Sequence, residues 1–138
     1  MRVHAEPLVA GSASGVVLRM DAPISFWGGI DAATSEVTMA GHPQHGKTIA
    51  DTILVVPDPI GSSSSSAIML ELIRAGLAPR ALILGLRDAI LPIGVIVARQ
   101  MGWGSLPVLL IKAPQFCSGD LLEIGTDGRI EQKPAPRG

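Results

Sequence analysis

Five consecutive serines, Ser62 to Ser66, follow Gly61 and stand between two apolar runs, one ending at Val55-Val56-Pro57 and the other spanning Ala67 to Ala75. A strand that feeds a small-residue turn and then a helix makes a ready anion site. The first-turn N–H groups of a helix have no intrahelical partner and point outward. Gly61 permits a tight turn, and the short serine hydroxyls gather at the helix mouth. One of those hydroxyls could do chemistry. Helix capping and flexible linkage are the other uses of such a run. Residue types alone leave all three open.

Other residues with chemical potential are scattered. His42 and His45 flank Pro43-Gln44. Two ligands at that spacing argue weakly for a metal, and a polar surface loop is the favoured reading. Asp58 precedes the serines and can assist a base or shape the turn. Arg87 is the cation nearest the end of its expected strand, where such sheets bind ligands, and could face a carboxylate there. Asp31 reads as an Asx-turn that holds its own loop. Phe26-Trp27 serves either a partner interface or a small core. Cys117, the single cysteine, reads as a packing residue. It excludes an internal disulfide and a cysteine-based metal site within one chain, and it fits a reducing cytoplasm.

The elements that must hold these residues follow from hydrophobic patterning. Ala13 to Met20 reads as a strand, with shorter extended segments before Gly11-Ser12. Pro23 to Ile30 reads as a loop of fixed geometry, and Glu36 to Met39 as a short strand. Thr52–Val56, Arg80–Leu86 and Pro107–Ile111 are buried strands. Ala67–Ala75 and Ala89–Met101 are helices ended by Gly76 and Gly102, with Asp88 capping the second and Pro92 tolerated near its first turn. Leu121–Ile124 and Arg129–Gln132 form a hairpin through Thr126-Asp127-Gly128. Lys133 to Gly138 reads as a loose tail. The middle of the chain is thus β-α-β-α-β, which requires parallel pairing and right-handed crossovers, with a more antiparallel layer from the flanking strands.

With 138 residues, 47% of them hydrophobic, the chain suits a single domain spanning 1–138. A net charge of −1 without a basic stripe argues against nucleic acid. The longest apolar stretch, Ala89 to Ala98, contains Pro92 and Gly94 and is too short to span a bilayer. Met1 to Pro7 lacks the apolar centre of a signal peptide. A stand-alone phosphate-binding domain is disfavoured, because the loop lacks the lysine of a P-loop.

In combination, several segments resemble the swivel domain, or small subunit, of the aconitase X enzymes. They are Phe26-Trp27-Gly28-Gly29-Ile30-Asp31, His42-Pro43 with Gly46, Thr52 to Pro57, the Gly-Ser loop, Ala78-Pro79 and Ile90 to Ala98, in family order over 13–127. The resemblance implies an α/β fold of the swivelling β/β/α type. It implies a hydro-lyase completed by a large aconitase-like partner subunit, which carries an iron–sulfur or iron centre, with no cofactor bound by this chain. It implies Ser62 as the base, and Gly61, Ser63 and Ser64 as substrate-binding groups. The substrates it implies are cis-3-hydroxy-L-proline and mevalonate 5-phosphate. In the family the serine follows Gly-Arg-Gly or Gly-Lys-Gly, whereas here Pro59-Ile60-Gly61 precedes Ser62. Ile60 in place of a cation favours the hydroxyproline type, since an amino acid brings its own ammonium. The same departure keeps altered activity, or a non-catalytic swivel module, as the alternative.

Overall fold

Strands that read as unbroken aliphatic runs are buried on both faces, and that property sets the layering of this protein. The computed structural model describes residues 2–134. Along them run β1 (Arg2–His4), β2 (Glu6–Val9), β3 (Ala13–Arg19), the one-turn α1 (Phe26–Gly29), β4 (Ile53–Val56), α2 (Ser65–Ala75), β5 (Ala81–Leu84), α3 (Ile90–Gln100), β6 (Val108–Leu110), β7 (Leu121–Ile124) and β8 (Arg129–Lys133). Every residue of β4 and β5 is buried. Successive side chains alternate between faces. Ile53, Val55, Ala81 and Ile83 therefore share one core with Val17, Leu109, Phe116, Leu122, Ile124 and Ile130. Leu54, Val56, Leu82 and Leu84 face the other, against Met69 and Leu72 of α2 and Val95 of α3. The layers are β/β/α, as the family resemblance implies.

The strand order is β1-β8-β7-β3-β4-β5-β6-β2. β3 pairs antiparallel with β7 through Ala13 to Val16, then parallel with β4 through Val17 to Arg19. One strand thus passes from the antiparallel layer into the parallel sheet. The segment holding β1 and β2 does the same, pairing with β8 at one end and β6 at the other. Between them Ala5 N–H donates to Gly128 O at 2.9 Å.

Both long helices end as the glycines require. Gly76 (φ +74°) and Gly102 (φ +74°) adopt left-handed conformations. Leu77 N–H then reaches Leu72 O at 2.8 Å, and Trp103 N–H reaches Ala98 O at 3.0 Å, satisfying terminal carbonyls. Asp88 Oδ1 accepts from Ile90 N–H at 2.8 Å at the start of α3. α2 begins at Ser65, two residues before the expected Ala67.

Three expectations are corrected. Glu36 to Met39 is not a strand. Only single bridges form, Ile30 with Val37 and Glu36 with Thr48. Positive φ at Ser35, Gly41 and Gly46 turns the chain too often for a ladder. Lys133 is not loose but pairs with Leu121 at the end of β8, while 135–138 of the expected tail lie outside the described residues. Cys117 is exposed rather than packed. Among the described residues no helix is long and apolar enough to cross a membrane.

Candidate functional site

β4 ends at Val56, so the segment from Pro57 to Ser64 leaves the C-terminal edge of the parallel strands. Open sheets of this kind bind ligands at that edge. Two contacts fix the root of the loop. Pro57 packs directly on Gly85 beyond β5, where a Cβ would collide with the Pro57 carbonyl. Ile24 pairs with Pro59, and Ile60 N–H donates to Ile24 O at 2.9 Å. That pairing carries the turn from Ser25 to Gly29 alongside the serines.

The five serines have different fates. Ser65 is buried, and its Oγ accepts from Trp27 N–H at 3.2 Å and lies 3.4 Å from Ser25 Oγ. Ser66 Oγ donates to Ser63 O at 3.0 Å. Ser64 holds the N-cap position but makes no side-chain capping bond. Its dihedrals (φ −76°, ψ −13°) are already helical, whereas a capping side chain reaches back from an extended residue. Ser62 is half-buried, and its carbonyl accepts from Ser65 N–H at 2.9 Å. Its hydroxyl has no hydrogen-bond partner among the described residues. Gly61 and Ser63 are exposed.

Gly61 requires a correction. Its φ lies outside the left-handed region, and a Cβ there would meet nothing within 4 Å. No turn in this chain demands a glycine at that point. The residue instead leaves clearance above the loop.

A hollow of about 200 Å³ adjoins the loop, lined by Ser25, Trp27, Gly28, Gly29, Met39 and Ile60. Trp27 is 58% exposed and Ile60 44%, whereas Phe26 is in the core at 2%. The Phe-Trp pair therefore splits between core and surface. The cause is a kink: Trp27 (ψ 117°) and Gly28 (φ +79°) leave helical geometry inside α1. Sequence reasoning missed Ser25, which arrives through the Ile24–Pro59 pairing, and Met39, which follows Thr38, whose N–H donates to Gly29 O at 2.9 Å.

The electrostatics of this edge are sparse. Neither 20–31 nor 57–67 contains a lysine or arginine. Arg87 is bound by Glu6, Nη2 to Oε2 at 2.6 Å. It is not a free cation awaiting a substrate carboxylate. Asp58 is exposed, and its carbonyl accepts from Ile24 N–H at 3.4 Å, which fits shaping of the turn. Within the first turn of α2, Ser65 N–H is taken by Ser62 O and Ala67 N–H by Ser64 O, so the positive end that remains is the helix dipole rather than a set of free N–H groups.

The remaining candidates serve structure. His42 is buried rather than on a surface loop. Its Nε2 lies 3.1 Å from Ala22 O, and its Nδ1 accepts from Gln44 N–H at 3.0 Å. Both ring nitrogens are occupied, while His45 is exposed. Asp31 Oδ1 accepts from Ala33 N–H at 2.8 Å, the expected Asx-turn. Among the described residues no group of three or more His, Cys, Asp or Glu is placed to hold a metal. With one cysteine, this chain's residues do not fit an iron–sulfur centre, which needs several thiolates.

The family model for the aconitase X swivel domain matches residues 2–132. A cis-3-hydroxy-L-proline dehydratase from Hypocrea jecorina is 41% identical over 108 residues, covering 78% of this chain and 18% of the relative. A phosphomevalonate dehydratase small subunit from Thermococcus gammatolerans is 36% identical over 132 residues, covering 95% of this chain and 97% of the relative. The crystal structure of Thermococcus kodakaraensis aconitase X in its holo-form superposes with a TM-score of 0.87 at 28% identity, covering 97% of this chain and 99% of that chain. The matched region thus spans less than a fifth of the hydroxyproline dehydratase and nearly all of the small subunit.

Proposed function

The chain belongs to the aconitase X swivel-domain family, and on that premise we propose that it is the swivel subunit of a hydro-lyase that dehydrates a small hydroxy acid, with Ser62 as the base. Dehydration removes a proton from one carbon and hydroxide from the next. A proton alpha to a carboxylate is weakly acidic, so the base must lie within hydrogen-bonding reach and the developing charge needs support. Ser62 supplies an uncommitted hydroxyl just ahead of α2. The exposed Ser63 and the half-buried Ser64 offer hydroxyls to substrate, and Gly61 leaves room for its approach. The other half of the reaction belongs to a large aconitase-like subunit, with which any iron or iron–sulfur centre would reside.

The observation that carries this reading is the contrast among the serines. Ser65 and Ser66 are hydrogen-bonded within the chain, whereas the half-buried Ser62 hydroxyl has no partner among the described residues, and it is the first hydroxyl after the strand. The preferred substrate is cis-3-hydroxy-L-proline rather than mevalonate 5-phosphate. A loop without cations suits an amino acid, which brings its own ammonium, better than a phosphate dianion.

Co-expression with a large aconitase X-type chain, followed by assays on both compounds, tests the proposal. Ser62→Ala should lower kcat by about 10²–10⁴-fold while the subunits still co-purify. Unchanged turnover would leave the chain a non-catalytic swivel module. Ile60→Arg should shift preference toward the phosphorylated substrate, and an unchanged preference removes the charge argument.

A further inference from the structure

The outer side of α3 carries no charge before its last turn, where the exposed Arg99 and Gln100 follow. From Ala89 to Ala98 every side chain is apolar. Leu91, Pro92, Gly94, Val95 and Ala98 are buried against the body of the protein. Ile93, Ile96, Val97 and Met101 face outward, with Ile93 51% exposed and Met101 56%. Ile93, Val97 and Met101 stand at i, i+4 and i+8, so they form one row along the helix. A helical stretch that is apolar on its outer as well as its inner face belongs in an interior.

A groove of about 170 Å³ lies beside this row, lined by Ser66, Ala67, Leu70, Ile93, Gly94 and Val97. It exists because Gly94 brings α3 against the Ser66 carbonyl. Ser66 closes the serine loop at the groove, and Ile60 opens it at the hollow with Trp27 and Met39. The loop therefore runs from the hollow at one end to the groove at the other.

We infer that the α2–α3 groove and the Ile93–Val97–Met101 row are the seat of the large aconitase X-type chain, which lays an apolar ridge into the groove and so fixes the helix side of the serine loop. This rests on the reading of the chain as a swivel subunit. Two observations select that occupant. In the two hydroxyproline dehydratases the matched region is 18% and 17% of the protein, so in those relatives the corresponding segment sits in a far larger chain. A body that covers Ser62 must also pass Ser66, which already lines the groove. Glu71 and Arg74 on α2 pair with each other at 3.5 Å, so burial rather than charge is the means of recognition.

The test is the double variant Ile93→Glu/Val97→Glu, co-expressed with the large chain, beside Val16→Glu as control. Val16 is 48% exposed and lies on β3. Both variants should fold and melt like the parent, because the altered side chains point outward. The double variant should bind the large chain at least about 100-fold more weakly, and the control should bind normally. Parental binding by the double variant overturns the inference while Ser62→Ala still judges the catalytic reading. Lost binding with Ser62→Ala fully active keeps the seat and removes the catalytic reading. A parent chain that binds no large subunit, or that forms a dimer dissolved by the double variant, also overturns it.

Discussion

Gly94→Ala probes whether the approach of the two helices positions the serine loop. An alanine Cβ at this point would stand 2.5 Å from the Ser66 carbonyl oxygen, where ordinary contact begins at 3.4 Å, so the groups must part by about 0.9 Å. The neighbours are backbone and Met69 Cβ, at 3.2 Å, and neither can swing aside as a flexible chain end would. Overpacking of this kind costs about 1–3 kcal/mol. The better helix propensity of alanine returns about 1 kcal/mol. The net loss is up to about 2 kcal/mol, which lowers Tm by up to about 8 °C in a domain of this size. Because Ser66 carries the end of the loop, a shift approaching 1 Å there should cost about 10²-fold in turnover of the assembled enzyme. Gly61→Ala is the counterpart. Its new methyl meets nothing within 4 Å, so Tm should stay within about 1 °C of the parent while turnover falls through lost clearance. Circular-dichroism melts and dehydratase assays on both variants decide the matter. If Gly94→Ala melts and turns over like the parent, or Gly61→Ala is destabilised as much as Gly94→Ala, the packing argument is wrong.

Ser65→Ala strips the acceptor from Trp27 N–H and should destabilise by about 1–3 kcal/mol, with faster amide exchange at Trp27; unchanged protection would deny that Ser65 holds the turn. His42→Ala should cost a similar amount, about 1–3 kcal/mol, by freeing Ala22 O and Gln44 N–H, and added divalent metal should leave the parent Tm unmoved; a metal-dependent rise would make His42 a ligand after all. The hydrogen bond and charge of Arg2 hold the Glu131 carboxyl below its ordinary value of 4.5. A depressed carboxylate stabilises the fold above pH 4.5, and that contribution is lost as pH falls through the lowered value. The Tm gap between parent and Glu131→Gln should therefore close toward acid pH, and a gap that persists to the lowest pH would refute the pairing.

The sequence determined what depends on near neighbours. The aliphatic runs at Ile53–Val56 and Ala81–Leu84 could only be doubly buried strands, and Gly76 and Gly102 end their helices because glycine accepts a left-handed conformation without strain. The place of the serine loop, between a strand and a helix, was readable for the same reason. Tertiary structure decided the rest, because the deciding contacts join residues far apart in the chain. The passage of β3 between layers depends on two partners, β4 and β7, that lie on opposite sides of the helical region. Five serines are chemically identical as text. The Ile24–Pro59 pairing, which sets Trp27 N–H over Ser65, commits that hydroxyl, and Ser66 bonds back to Ser63 O, which leaves the hydroxyls of Ser62, Ser63 and Ser64 without a partner among the described residues. Likewise His42 became a buried latch through Ala22, twenty residues away, and Gly61 proved free of any internal demand once the space above it was defined.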